Sequence, residues 1–250
     1  MSSAMPGPPA VPPLPGPPIR WQTARVLAIH DETARAKTFR LQLPHRTRHM
    51  AGQYFVLRLT APDGYTASRA YSLSSPPEGP DGSTVIDLTV ELLDDGEVST
   101  YLHEVVQPGD ELDVRGPIGA FFAWDGITPA LLVAGGSGIS PLMAMLRLAR
   151  NTGRPDLVRL LVSVRTPGDL YFADELPGSE TTVIYTRAAP PGDPRGVGRL
   201  APSDVDPLVR GGETVFVCGS TGFADAATAA LLAAGVPTHL IRVERFGPSG

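Results

Sequence analysis

The chain changes rhythm once, near residue 125, and that change restricts the folds open to it more than any other feature. Before it, six short runs rich in Val, Leu, Ile, Thr or Tyr (23–29, 38–43, 54–59, 70–73, 85–90 and 111–114) are separated by turn signals. These include Pro62-Asp63-Gly64, Pro76-Pro77, Asp94-Asp95-Gly96 and Pro108-Gly109-Asp110. Short strands at such spacing predict a small antiparallel barrel. One helix is expected to interrupt it over 99–105, with Ser99 as its N-cap. After Trp124 the pattern alternates: strands over 130–134, 157–164, 181–185, 214–218 and 238–243, with helices over 141–149 and 223–234. Alternation of this kind predicts a parallel α/β sheet with helices on its faces. The expected organisation is a proline-rich, extended and disordered tail over 1–18, a barrel over 19–125 and an α/β domain over 126–250.

Composition narrows the function classes. A chain of 250 residues has room for two domains of ordinary size. A net charge of −5 gives no footprint for nucleic acid. No apolar run is long enough to span a bilayer, so no membrane role is expected. The first residues lack a basic region followed by an apolar one, so no signal peptide is expected. Cys218 is the only cysteine, which rules out a disulfide within this chain and argues against a cysteine-ligated iron–sulfur cluster. A reducing compartment, the cytoplasm, is the natural expectation. The five histidines show no metal-ligand spacing, so no metal site is expected.

Two motifs carry chemistry. On a strand, Arg69 and Tyr71 share one face and Ser72 takes the other. A guanidinium can fork onto a pyrophosphate, and a phenol can pack on a flavin ring. A solvent-facing arginine beside a core tyrosine is the simpler reading of Arg69-Ala70-Tyr71-Ser72 taken alone. Gly96-Glu97-Val98-Ser99 feeds the predicted helix, whose free N–H groups suit a phosphate. Gly116-Pro117-Ile118-Gly119-Ala120-Phe121 reads as a rigid loop or a plain connector. Gly135-Gly136-Ser137-Gly138 joins an apolar strand to a helix expected to start with Ser140 as N-cap and Pro141 as first residue. Glycines there let a backbone approach a dinucleotide. Cys218 ends a later parallel strand, where a nicotinamide can lie; a small buried thiol is the other reading. Arg165 and Arg187 follow strands and suit a 2′-phosphate, which favours NADPH over NADH, with Arg195 and Arg199 nearby.

In this order the motifs resemble the ferredoxin–NADP⁺ reductase superfamily, over about residues 19–247. The resemblance rests on Arg-x-Tyr-Ser, Gly-x-x-Ser, Gly-Pro-x-Gly-x-Phe, Gly-Gly-x-Gly-Ile-x-Pro, Cys-Gly and Glu-x-aromatic. It implies an FAD-binding barrel followed by an NAD(P)-binding domain. Arg69 would contact the FAD pyrophosphate, Tyr71 would stack on the flavin and Ser72 would sit near flavin N5. Ala70 and Leu73 complete that cofactor-binding stretch, and Gly96, Val98 and Ser99 serve the FAD diphosphate. Gly136, Gly138 and Ile139 would line the dinucleotide site. Ser72, Cys218 and Glu244 form the implied catalytic set, with Phe246 a displaceable lid over the flavin. Four residues follow Phe246, an ending similar to the reductase part of flavohaemoglobins and oxygenase reductases. No fused globin or cysteine-rich domain is seen, so a separate acceptor is expected: a ferredoxin, flavodoxin or haem protein. His45, Arg46, Arg48 and His49 could receive an acidic partner or form a solvated loop. Reduction of a diffusible acceptor, such as free flavin or a ferric chelate, and a non-catalytic flavin-binding subunit stay open as alternatives.

Overall fold

A computed structural model describes residues 19–79 and 81–246. The proline-rich segment 1–18 and residues 247–250 lie outside them.

The first half is β1 (Trp21–Thr33), β2 (Ala36–Thr47), β3 (Tyr54–Thr60), β4 (Thr66–Ser72), β5 (Ser83–Glu91), helix α1 (Glu97–Glu104) and β6 (Glu111–Ile118). The strands form one antiparallel sheet in the order β4-β3-β6-β1-β2-β5. A bridge between Leu73 and Leu88, with Ser74 N–H donating to Asp87 O at 2.9 Å, brings the two edge strands together. The sheet therefore curls into a barrel, as its short, turn-punctuated strands predict. Period-two burial supplies the core: Phe39, Leu41, Phe55, Leu57, Ile86, Leu88 and Val114 all point inward. Each such side chain contributes about 1.5–3 kcal/mol on leaving water. Helix α1 caps this core with Val98 and Leu102.

The second half is β7 (Ala130–Gly135), α2 (Ile139–Asn151), β8 (Val158–Val164), β9 (Thr181–Tyr185), α3 (Pro202–Val205), β10 (Thr214–Ser220), α4 (Thr221–Ala233) and β11 (Ile241–Phe246). The sheet is wholly parallel, in the order β11-β10-β7-β8-β9. Its middle strands read as continuous apolar runs because helices cover both faces. From β7 the chain moves to β8 on one side and later to β10 on the other. The strand order thus reverses between β7 and β10, and ligands of open α/β sheets bind outside the carboxyl ends of strands at such a point.

The halves share an apolar seam. Ala36, Ala51, Phe122 and Trp124 belong to the same buried cluster as Leu142, Met145 and Leu146 of α2. Several boundaries differ from expectation. The first strand runs on to Thr33 because His30, Asp31 and Thr33 still pair with β2, with Glu32 at a register shift between them. Ser99 is not the N-cap of α1. Gly96 holds that place, while the Ser99 hydroxyl donates to Gly96 O at 2.9 Å and accepts from Leu93 N–H. Likewise α2 starts at Ile139, behind a turn of 3₁₀ helix over Gly136–Gly138. The Ser140 hydroxyl donates back to Ser137 O. The last strand begins at Ile241, since Thr238–Leu240 forms another 3₁₀ turn.

Candidate functional site

Three short segments meet at the junction of the halves. The first is the end of β4. Ser72 is buried, and its register partner across the sheet is Tyr54. Tyr71 is half-buried against the barrel core, and burial pushes its phenol well above the usual range, with nearby Arg69 opposing slightly. Arg69 is exposed and, among the described residues, donates only to the adjacent Ser68 O. Ala70 is exposed and Leu73 is core. Helix α1 packs beside β4, the strand that carries Arg69. A Cβ at Gly96 would lie 2.3 Å from the Ser99 hydroxyl, so the turn needs a glycine. This end opens on a groove of about 950 Å³ between α1, the β3–β4 hairpin and β6.

The second segment is the β7–α2 turn. Gly136 has φ +54° with nothing within 4 Å of where a Cβ would stand, leaving open space against the backbone. Gly138 is the opposite case: a Cβ there would fall 2.1 Å from Cys218 O. The turn is thus pressed against the end of β10, and Ile139 is buried behind it.

The third segment is the paired end of β10 and β11, where Cys218 lies beside Glu244 in the parallel register. Cys218 is fully buried. Burial, and then the Glu244 carboxyl, raise its thiol well above the usual range, so it is neutral. Burial raises Glu244 to about 7, and its Oε2 is buried with no hydrogen-bond partner among the described residues. A carboxyl held this way keeps its proton at pH values where an ordinary carboxylate is fully ionised, and stands ready to bond an incoming polar group. Phe246 is half-buried against the cluster that contains Cys218.

Beside the third segment is a cavity of about 220 Å³ lined by Gly52, Tyr54, Gly119, Phe121, Phe122 and Glu244 among others; Ser72 borders it only through its cross-strand partner Tyr54. Tyr54 links the Ser72 end to the Glu244 end, yet nothing in the sequence marks it beyond its place after Gly52-Gln53 at a strand start. Gly52 has φ +96°, and a Cβ there would strike Phe122 O at 2.3 Å. Phe121 is 67% exposed at the cavity mouth, and Arg242 of β11 donates to Phe121 O and Ala123 O.

Other expected residues have different surroundings. Arg165 and Arg187 are exposed and adjacent, since Arg187 N–H donates to Arg165 O at 2.9 Å. Arg195 is not free: it forks onto Asp204 (2.6 and 2.8 Å) and donates to the carbonyls of Gly198 and Arg199. His49 is not part of a surface basic cluster. It is 8% exposed, and burial lowers its pKa, while His45 and Arg48 are exposed and Arg46 donates to Gly82 O. Among the described residues no group of acidic, histidine or cysteine side chains could hold a metal, and no helix is long and apolar enough to cross a membrane.

A barrel with a phosphate-ready helix end, set against a parallel sheet with a glycine turn at its switch point, is the architecture of a flavin- and nicotinamide-dependent oxidoreductase. Comparison with known proteins agrees. Residues 23–123 match the family described as the oxidoreductase FAD-binding domain, and residues 132–229 match the oxidoreductase NAD-binding domain. The chain belongs to the ferredoxin–NADP⁺ reductase superfamily. It is 32% identical over 237 residues to the ferredoxin reductase component of 3-ketosteroid-9-alpha-monooxygenase from Mycolicibacterium smegmatis, covering 89% of this chain and 64% of that protein. It is 33% identical over 210 residues to the reductase subunit of glycine betaine monooxygenase from Chromohalobacter salexigens, covering 78% and 55%. Among solved structures it resembles the flavohaem-like FAD/NAD-binding domain of nitric oxide dioxygenase from Vibrio cholerae. That likeness has a TM-score of 0.78 and 25% identity, and covers 91% of this chain and 99% of that one. The chain spans between about half and just under two thirds of the curated relatives named here.

Proposed function

We propose that this chain takes hydride from NAD(P)H onto FAD and passes the electrons to a separate redox partner, with 19–125 as the FAD-binding unit and 126–250 as the NAD(P)-binding unit. The observation that carries this reading is the shared cavity, where the cross-strand partner of Ser72 and the orphaned Glu244 carboxyl line one space. FAD, when bound, supplies two-electron acceptance and one-electron release, which no side chain can provide.

The chain's own residues hold, orient and exclude water. Arg69 and the Gly96 end of α1, with Val98 and Ser99 fixing that turn, would neutralise the FAD diphosphate. Tyr71 and Tyr54 offer flat apolar faces to the ring, and Ser72 a hydroxyl to its edge. Gly136, Gly138 and Ile139 would cradle the dinucleotide at the strand-order switch. Cys218, neutral and small, lets a nicotinamide lie close without repelling it, and Glu244 holds a proton beside it. The contribution is mostly proximity and orientation. Arg165 and Arg187, adjacent and without carboxylate partners among the described residues, support NADPH as the donor. The relatives named above are reductase components of oxygenase systems, which supports a ferredoxin, flavodoxin or haem protein as acceptor.

Ser72→Ala should slow flavin reduction about 10- to 100-fold in stopped flow while FAD stays bound, the loss expected of one positioned polar group. Reduction at the wild-type rate removes Ser72 from the reacting set.

A further inference from the structure

We propose that Glu32 and Arg147 are positioning residues that lock the two domains in register through a polar chain crossing the barrel wall. For its consequence on hydride transfer this rests on the reading above; the lock itself does not.

The chain starts in the α/β half. Phe172, in the loop between β8 and β9, has φ +56°, a left-handed conformation uncommon for a bulky residue. Its N–H donates to Glu32 Oε2 of β1 at 3.1 Å. The other oxygen of Glu32 accepts from the Thr38 hydroxyl at 2.6 Å. The Thr38 and Thr89 hydroxyls lie 2.8 Å apart, and Thr89 Oγ1 lies 2.9 Å from Ser74 Oγ. Thr38, Thr89 and Ser74 are all buried. The path then returns to the α/β half, where Arg147 of α2 donates to Ser74 O at 2.8 Å. The same guanidinium forks onto Glu175 and lies 4.9 Å from the centre of the Phe172 ring. Both arms of the loop therefore end on Ser74.

The two ends of this circuit matter because of their neighbours. Ser74 is two residues past Ser72, at the end of the flavin-side strand. Arg147 is on α2, which begins at the Gly136–Gly138 turn. One network therefore fixes the strand end offered to the flavin and the helix that presents the dinucleotide turn. Buried polar chains of this kind are intolerant of a missing member, since each lost partner leaves another group unpaired. A misplacement of about 1 Å between reacting groups is enough to cost about 10²-fold in rate.

The test uses the full chain with FAD bound, as wild type, Glu32→Ala, Glu32→Gln and Arg147→Met. Glutamine keeps an acceptor for Phe172 N–H and a polar partner for Thr38; alanine keeps neither. Amide hydrogen exchange is measured without nicotinamide. Glu32→Ala should speed exchange at Phe172 and its loop at least about 10-fold while β7 and β8 keep their protection, and Glu32→Gln should restore it. Stopped-flow reduction by NADPH should show a limiting rate lowered about 10- to 100-fold in Glu32→Ala and Arg147→Met, with KM within about twofold. Unchanged exchange at Phe172 in Glu32→Ala, or equal loss of protection throughout the chain, overturns the lock. Changed exchange with unchanged limiting rates overturns the positioning role. A wild-type flavin that NADPH does not reduce contradicts the oxidoreductase reading, and the exchange result still decides the lock.

Discussion

Replacing Glu244 with glutamine should remove a pH dependence of stability that burial has built into the site. In the folded chain this carboxyl stays protonated up to about 7, whereas the ordinary value is 4.5. Between those values the unfolded chain has already released the proton that the folded chain still holds. Rising pH therefore favours unfolding: the stabilisation is complete below 4.5 and is lost by about 7. The interval is about 2.5 pH units, and at 1.36 kcal/mol per unit the loss is at most about 3 kcal/mol, smaller where solvent reaches the group. Glutamine has nothing to ionise. The advantage of Glu244→Gln over wild type should thus grow by up to about 3 kcal/mol between pH 4.5 and 8. With a urea slope of about 3 kcal/mol/M, that is a midpoint shift of about 1 M. The assay is urea unfolding at several pH values with matched FAD. A difference between variant and wild type that stays constant from pH 5 to 8 would refute the claim that Glu244 is a desolvated, protonated acid.

Two further variants probe the nicotinamide side. In Gly138→Ala the new methyl meets Cys218 O at 2.1 Å, so the turn must move off β10. KM for NAD(P)H should rise at least about 10-fold, with about 1–3 kcal/mol of overpacking cost and unchanged FAD content; unaltered KM would show that the turn does not touch the dinucleotide. Arg165→Ala with Arg187→Ala should raise KM for NADPH about 10- to 100-fold and leave NADH within about twofold, as expected for lost charge-assisted phosphate contacts. Equal effects on both cofactors would remove these arginines as a 2′-phosphate site.

The architecture was legible because it depends on local signals. Turn signals and short runs rich in Val, Leu, Ile, Thr or Tyr marked the six barrel strands, and continuous apolar runs such as 130–134 marked the parallel sheet. Boundaries were less so: residues 30–33 look like a loop but extend β1, because pairing of His30, Asp31 and Thr33 with β2 outweighs their polarity. The Ser99 and Ser140 hydroxyls bond to backbone within their turns, a choice between local partners that spacing does not decide. Long-range register is the larger gap. The pairing of Cys218 with Glu244, the place of Tyr54 opposite Ser72 and the reach of Glu32 to Phe172 each join residues far apart in the chain. The burial of His49 also arises from tertiary packing, although its neighbours Arg48 and Met50 are exposed.

The central claim is that one cavity brings a flavin and a nicotinamide together for hydride transfer. Anaerobic titration of the FAD-loaded protein with NADPH, followed by flavin absorbance, tests it most directly. Bleaching complete at one NADPH per flavin, and faster than with NADH, is the predicted result. A protein that binds FAD and keeps its full flavin absorbance with both nicotinamides in excess would contradict it.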